Sequence, residues 1–149
     1  ALEVASRREI PLQFHTGFGD SDLDLRLANP LHLRSLLEDK RWRGAPVVLL
    51  PAGYPFVREA GDLAAVYPRV HVDFGLAVPF LSTAGMRQTV EQLLELAPYT
   101  KIMFSTDAHA IPELYYLGGI TQVIIFAVIG IILYLKPAGL LGKGVDIGI

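Results

Sequence analysis

The stretch Ile10-Pro-Leu-Gln-Phe-His15 is a strand-sized, mostly apolar run that ends on a histidine. Three further runs of this kind follow along the chain: Val47-Val-Leu-Leu50, Val70-His-Val-Asp-Phe74 and Ile102-Met-Phe-Ser-Thr106. All four are rich in β-branched or aromatic residues, which is typical of residues on a pleated, buried surface. The sequence therefore predicts four strands.

Helix start signals lie between these runs. Three dipeptides carry them, namely Asn29-Pro30, Tyr54-Pro55 and Ser82-Thr83, and the segment that the second one opens is predicted to reach Ala65. The resulting order is βαβαβαβ. Such alternation predicts an α/β fold with parallel strands and right-handed crossovers, either a doubly wound sheet or a (β/α) barrel.

Composition narrows the classes of partner and site. The 149 residues include 13 Lys and Arg against 15 Asp and Glu, for a formal net charge of -2, so no nucleic-acid surface is expected. The chain contains no cysteine, and any metal must therefore be bound by histidine and carboxylate side chains. The charge balance by itself does not name a partner.

The carboxyl ends of parallel strands are where reactive residues gather in such folds, and here those ends are His15, Pro51, Asp73 and Asp107. Imidazole nitrogen and carboxylate oxygen are ligands of catalytic Zn²⁺, which usually takes three protein groups and one water. A strand-end histidine is also commonly structural, and an aspartate there commonly caps the following helix. The residue types leave both interpretations open.

Four other polar residues are weaker candidates. His71 shares a strand face with Asp73, where a solvated or hydrogen-bonded face is favoured over a metal pair. Arg58 lies within reach of a substrate carboxylate, but an ordinary surface charge is the favoured interpretation. We expect His32 to face solvent or a neighbouring loop. His109 follows Asp107 by two positions and suits either the site mouth or a helix start.

Several of these segments, in order, closely resemble the amidohydrolase family, in the branch whose barrel domain is sometimes fused to glutamine-synthetase-like domains. They are Gln13-Phe-His-Thr-Gly17, Ala52-Gly-Tyr-Pro-Phe-Val-Arg-Glu-Ala-Gly61, Val72-Asp-Phe74, Ser105-Thr-Asp-Ala-His109 and Pro112-Glu-Leu-Tyr-Tyr-Leu-Gly118. The resemblance implies a (β/α)₈ barrel that hydrolyses amide or related C–N bonds of a small-molecule substrate with metal-activated water. It implies that His15 is the fifth-strand metal ligand, and that Asp107 is the eighth-strand aspartate that contacts metal and shuttles the proton.

Two departures from the family pattern limit what the resemblance implies. Pro51 stands where the sixth-strand ligand histidine is expected, and no residues correspond to strands one to four, which carry the remaining ligands. We therefore predict the carboxyl-terminal half of a barrel, about four βα units over residues 1–118. The family metal is divalent and expected to be zinc. With only His15 and Asp107 as ligands, we expect no turnover by this chain alone.

Residues 119–149 form a second predicted segment, a hydrophobic tail. No Asp, Glu, Lys or Arg occurs over residues 114–135, and as a helix these 22 positions would span about 33 Å, against a hydrocarbon core of about 30 Å. A transmembrane helix is the favoured interpretation, and a buried last barrel helix is the alternative. Residues 122–142 also resemble the carboxyl terminus of permease subunits of branched-chain amino-acid ABC transporters.

Two other hypotheses about the whole chain stay open. The first is a membrane-anchored or permease-derived fusion with a non-catalytic α/β module. The second is pairing of two half-barrels, because open strand edges attract further strands. The hydrolase-like part is expected in the cytoplasm, or held at a membrane through residues 114–135.

Overall fold

The computed structural model describes residues 2–19, 21–42 and 44–105, together with the single positions Ala127, Ile131 and Tyr134. The chain divides into two compact units, Ala1–Asp107 and Ala108–Ile149. The predicted boundary between residues 118 and 119 lies outside the described residues and stays a prediction.

Four strands form the predicted parallel sheet, in the order β1-β2-β3-β4. They are β1 (Leu12–His15), β2 (Val47–Leu50), β3 (Val70–Asp73) and β4 (Ile102–Met103). β1 begins two residues later than predicted, after a turn in which Glu9 has a φ of 53° and after Pro11, which has no N–H for the ladder. The α/β class and the parallel strand direction are confirmed.

One helix precedes β1, and the other helices lie in the connections between the strands. The helices are α1 (Leu2–Arg8), α2 (Arg34–Glu38), α3 (Val57–Val66), α4 (Ala77–Phe80) and α5 (Thr83–Leu96). Asn29 accepts a hydrogen bond from the Leu31 N–H at 2.9 Å and begins a 3-10 turn that runs into α2. Ser82 Oγ accepts one from the Gly85 N–H at 3.1 Å and caps α5. Both predicted starts are confirmed.

The helix start predicted at Tyr54-Pro55 differs from the observed one. α3 begins at Val57, because Tyr54-Pro55 lies in a tight turn that the Phe56 N–H closes on the Gly53 carbonyl at 2.7 Å. Ala52 and Gly53 enter this turn with φ values of 58° and 66°. The proline therefore belongs to the turn and not to the first turn of the helix.

One face of the sheet packs against α3, and α5 packs on α3. Leu49 and Val72 on neighbouring strands are fully buried, and so are Leu63 of α3 and Leu93 of α5. Burying each such side chain contributes about 1.5–3 kcal/mol. A Cβ on Gly61 of α3 would lie 3.6 Å from the Leu93 carbonyl oxygen of α5, an ordinary van der Waals distance.

The opposite face of the sheet is polar towards the carboxyl ends of the strands. Residues paired in a parallel register share a face, and successive residues along a strand alternate between faces. The register pairs His15 with Leu50 and Asp73 with Met103, and it pairs Val48 with His71. The face packed against the helices thus carries core residues such as Leu49 and Val72, whereas the opposite face carries His15, His71 and Asp73.

No helix in the described part of the chain is both long enough and apolar enough to cross a membrane. Most of the predicted hydrophobic segment, residues 114–135, lies outside the described residues. Its three described positions are helical and exposed, with Ile131 and Tyr134 at 58% and 85% relative exposure. The membrane-helix prediction stays a prediction.

Candidate functional site

His15 ends β1 on the polar face of the sheet, with its side chain exposed. Its Nε2 lies 2.7 Å from the carbonyl oxygen of Phe18. A carbonyl only accepts hydrogen bonds, so Nε2 carries a proton in this contact, and a ring whose single proton is on Nε2 has its lone pair on Nδ1. His15 therefore offers one metal-ligand atom, Nδ1, at the carboxyl edge of the sheet.

The loop that follows His15 is held in place by close backbone contacts. Gly17 has a φ of 83°, and a Cβ at this position would collide with the carbonyl of Tyr54. The Phe18 N–H donates to that same carbonyl at 2.7 Å. A Cβ on Gly19 would lie 3.0 Å from His15 Nε2. In the sequence these glycines stood out only as part of the family-like motif and were given no role, although the spacing Gly-x-Gly soon after a strand was a usable signal.

Pro51, immediately after β2, contributes no ligand atom. The residue is fully buried, and its ring has neither a lone pair nor an N–H to offer. The next residue, Ala52, donates its N–H to the Asp73 carbonyl at 2.7 Å and joins this turn to β3. The residues after β2 therefore link neighbouring strands at the carboxyl edge of the sheet, and Pro51 and Ala52 supply no side-chain metal ligand.

Asp73 ends β3 on the polar face and is almost completely buried, at 4% relative exposure. Its Oδ1 accepts two hydrogen bonds, from the Gly75 N–H at 2.8 Å and from Ser105 Oγ at 2.9 Å. Gly75 has no room for a side chain, because a Cβ would collide with the Ser105 carbonyl. Asp73 thus ties β3 to the segment after β4, and the hydrogen-bonded interpretation of this strand face holds.

Asp107 and His109 lie outside the described residues, so the predicted convergence of His15 with Asp107 stays a prediction. Within residues 2–19, 21–42 and 44–105, no group of three His, Asp or Glu side chains lies close enough to hold a metal ion. Among the described strand-end residues, His15 therefore supplies an imidazole nitrogen, and Asp73 supplies a carboxylate whose Oδ1 already accepts two hydrogen bonds.

Arg58 and His32 have structural roles. Arg58 pairs with Glu95 of α5 at 3.0 Å, both side chains are exposed, and this hydrogen bond raises the pKa of Arg58. The surface-charge interpretation is confirmed. His32 is exposed, with Nε2 3.4 Å from the Arg26 carbonyl of the preceding loop, as expected.

A cavity of about 470 Å³ lies apart from the strand-end residues. Its lining comes from the segment after β1 and from Phe56. The one Lys or Arg among the lining residues, Arg26, is paired with Asp24 at 2.8 Å, and their hydrogen bonds lower the pKa of Asp24. Because His15 and Asp73 do not line it, we do not assign the candidate chemistry to this cavity.

Comparison with known proteins places these observations in a family. The amidohydrolase family model matches residues 1–125. The protein fluG of Emericella nidulans is 43% identical over 108 residues, which are 72% of this chain and 12% of that protein. A crystal structure of a proposed metal-dependent hydrolase from Lactobacillus casei is 44% identical with a TM-score of 0.67, and the match covers 75% of this chain and 29% of that one.

The family match reaches beyond the described sheet but not along the whole tail. The chain spans about an eighth of the length of the fungal relative and less than a third of the bacterial structure. The permease-like residues 122–142 lie almost entirely beyond the family match. Since the family model covers well over half of the sequence, this protein belongs to the amidohydrolase family.

Proposed function

We propose that this protein forms part of a metal-dependent hydrolase site that cleaves amide or related C–N bonds in a small-molecule substrate. The observation that carries the proposal is the position of His15, at the carboxyl end of a parallel strand, on the face opposite the packed core. Family membership and the bacterial relative described as a metal-dependent hydrolase support the same conclusion.

The proposed metal is divalent, and zinc is the first choice because the chain offers imidazole and carboxylate but no thiolate. His15 would bind it through Nδ1, and Asp107 would be a second ligand and the carrier of the transferred proton. When bound, such a metal lowers the pKa of a water molecule and so generates the nucleophile.

The described residues fit this ion only in part. His15 has a ring nitrogen outside the Phe18 contact, whereas Oδ1 of Asp73 already accepts hydrogen bonds from Gly75 and Ser105, and the Pro51 side chain has no ligand atom. A catalytic zinc ion ordinarily needs three protein ligands. The remaining ligands must therefore come from outside the described residues, and we propose that this chain by itself binds metal weakly and does not turn over substrate.

Titration of the chain with zinc, followed by long-range ¹H–¹⁵N spectra of the histidine rings, tests the ligand assignment. We expect the His15 ring to be the Nε2–H tautomer without metal and its Nδ1 signal to shift as zinc is added. His15→Ala should abolish this binding, and His32→Ala is the matched control on another exposed histidine. Zinc binding that leaves the His15 ring unchanged would refute the assignment.

Hydrolysis assays on a panel of amides test the second part of the proposal. The purified chain with excess zinc is expected to show no metal-dependent activity over buffer. Metal-dependent turnover by the chain with stoichiometric zinc would show instead that this polypeptide holds a complete ligand set.

A second proposal concerns the tail, because residues 114–135 carry no charged side chain. We propose that this segment holds the protein at a membrane. The full chain should then partition into the detergent phase, and a chain ending at Gly118 should not. Equal partitioning of the two chains would contradict the proposal.

Open strand edges support a proposal on assembly. Within the described part of the chain, β1 and β4 each have one neighbouring strand. The outward backbone groups of an edge strand attract another strand, so we propose that two half-barrels pair through these edges. Sedimentation in detergent should give twice the monomer mass, and a strictly monomeric chain would argue against pairing.

A further inference from the structure

Three aromatic rings from three consecutive strand-end loops meet above the carboxyl edge of the sheet. Phe18 follows β1, Tyr54 follows β2, and Phe80 ends α4 after β3. The ring centroids of Phe18 and Tyr54 are 5.8 Å apart at an interplanar angle of 86°, and those of Phe18 and Phe80 are 5.5 Å apart at 66°. We call these three residues the rim aromatics.

The backbone holds two of the rim aromatics in place. The Phe18 N–H donates to the Tyr54 carbonyl, and Gly17 packs against that carbonyl where no side chain would fit. The edge-to-face geometry is the favourable one for such rings. A ligand that used this surface would therefore not have to order it first, which lowers the cost of binding.

The rim aromatics are directly connected to the candidate metal ligand. The carbonyl of Phe18 accepts the hydrogen bond from His15 Nε2 at 2.7 Å. Phe80, whose ring packs on Phe18, is 67% exposed. Ligand sites are lined mainly by apolar and aromatic side chains, and this ring packs on the residue whose carbonyl accepts from His15.

The charges around the rim aromatics favour a neutral ligand group. In the described segments that lead from β1, β2 and β3 towards α2, α3 and α5, residues 16–19, 21–33, 51–56 and 74–82, the one Lys or Arg is Arg26, and it is paired with Asp24. Arg58, at the start of α3, is paired with Glu95. Neither guanidinium is available for an anionic substrate group.

We infer that the rim aromatics form a subsite for the neutral, planar aryl group of an amide substrate whose C–N bond is presented to the metal site at His15. The inference deepens the proposed function and rests on it for the position of the reacting bond. Stacking or edge contact with aromatic faces is the recognition chemistry, so a saturated ring of similar size should bind less well.

Binding of two matched amides to the metal-free full-length chain tests the subsite. Phenylacetamide carries the aryl group, and cyclohexylacetamide carries a saturated ring. Aromatic NMR signals of Phe18, Tyr54 and Phe80 report on both. We expect phenylacetamide to shift these signals and to bind about threefold to tenfold more tightly than cyclohexylacetamide, the range expected for an aromatic pair.

Variants locate the binding. Phe80→Ala should weaken phenylacetamide binding by about threefold to tenfold, and Phe80→Leu, which keeps an apolar side chain, should weaken it nearly as much. Tyr99→Ala is the control, because Tyr99 is 74% exposed in the turn before β4, at the amino end of that strand.

Equal affinity for the two amides, unchanged affinity in both Phe80 variants, or equal weakening by Tyr99→Ala would overturn the inference. Because no metal is present in this experiment, its outcome is separate from the zinc titration of His15. A negative zinc titration with selective aryl binding would remove the hydrolase proposal and leave the subsite standing.

Discussion

Replacing Asp73 by alanine is expected to lower the free energy of unfolding by about 3–4 kcal/mol. The substitution removes two hydrogen bonds to a carboxylate, each worth about 1.5–3 kcal/mol. The buried Gly75 N–H would keep no acceptor and lose the full amount, whereas the Ser105 hydroxyl is exposed and can turn towards water. This places the estimate in the lower half of the combined range.

Asp73→Asn separates the geometry of these contacts from the charge. Asparagine keeps an oxygen at the Oδ1 position, so both donors retain a partner and only the charge assistance is lost. We expect a loss of about 1–2 kcal/mol. A double-mutant cycle with Ser105→Ala should give a coupling energy of about 1–2 kcal/mol, because the two side chains are in direct contact.

Urea unfolding followed by circular dichroism measures these changes, with the m-value checked for constancy. Asp62→Ala on α3 is the control, since this exposed aspartate should change stability by no more than about 0.5 kcal/mol. A loss below about 1 kcal/mol for Asp73→Ala, or no coupling to Ser105, would refute the conclusion that this carboxylate ties β3 to the segment leading to Asp107.

Three further predictions follow from local geometry and charge. Gly17→Ala should destabilise by about 1–3 kcal/mol because of its positive φ and the collision with a carbonyl, whereas Gly85→Ala in α5, with its nearest contact at 3.5 Å, should stabilise by up to about 1 kcal/mol; thermal unfolding measures both. A double-mutant cycle on Arg58 and Glu95 should give no more than about 1 kcal/mol, and 1 M salt should remove most of it. Burial lowers the pKa of Lys101 in the folded protein below its ordinary value of 10.5. Between the lowered pKa and 10.5 the unfolded state binds more protons than the folded state, so stability should rise with pH in that window. Melting temperatures measured at a series of pH values should show this rise, and Lys101→Met should flatten it.

Prediction from sequence succeeded where the structure depends on neighbours along the chain. β2 has the predicted bounds, and the caps at Asn29 and Ser82 begin their helices as expected. Both features depend on side chains within a few residues of the element they begin or form. The start of α3 was misplaced because Tyr54-Pro55 is compatible with a helix start and with a turn, and the backbone at Ala52 and Gly53 selects the turn.

Sequence reasoning named His15 and Asp73 as strand-end residues but did not distinguish their roles. What separates them is contact with distant segments. Asp73 accepts a hydrogen bond from the hydroxyl of Ser105, 32 residues further along the chain. His15 donates to the carbonyl of Phe18, whose position depends on its own hydrogen bond to the loop after β2. Such partners follow from packing and not from spacing.

By itself the sequence determined the α/β class, the parallel direction of the strands and the family, because hydrophobic periodicity, caps and motifs are local properties of the chain. Only the tertiary structure decided which face of the sheet is polar, which nitrogen of His15 is free and which loops meet at the rim aromatics. All three features depend on strand register and on side chains that are far apart in the sequence. Hydrogen bonds and packing between such side chains form only once the chain has folded.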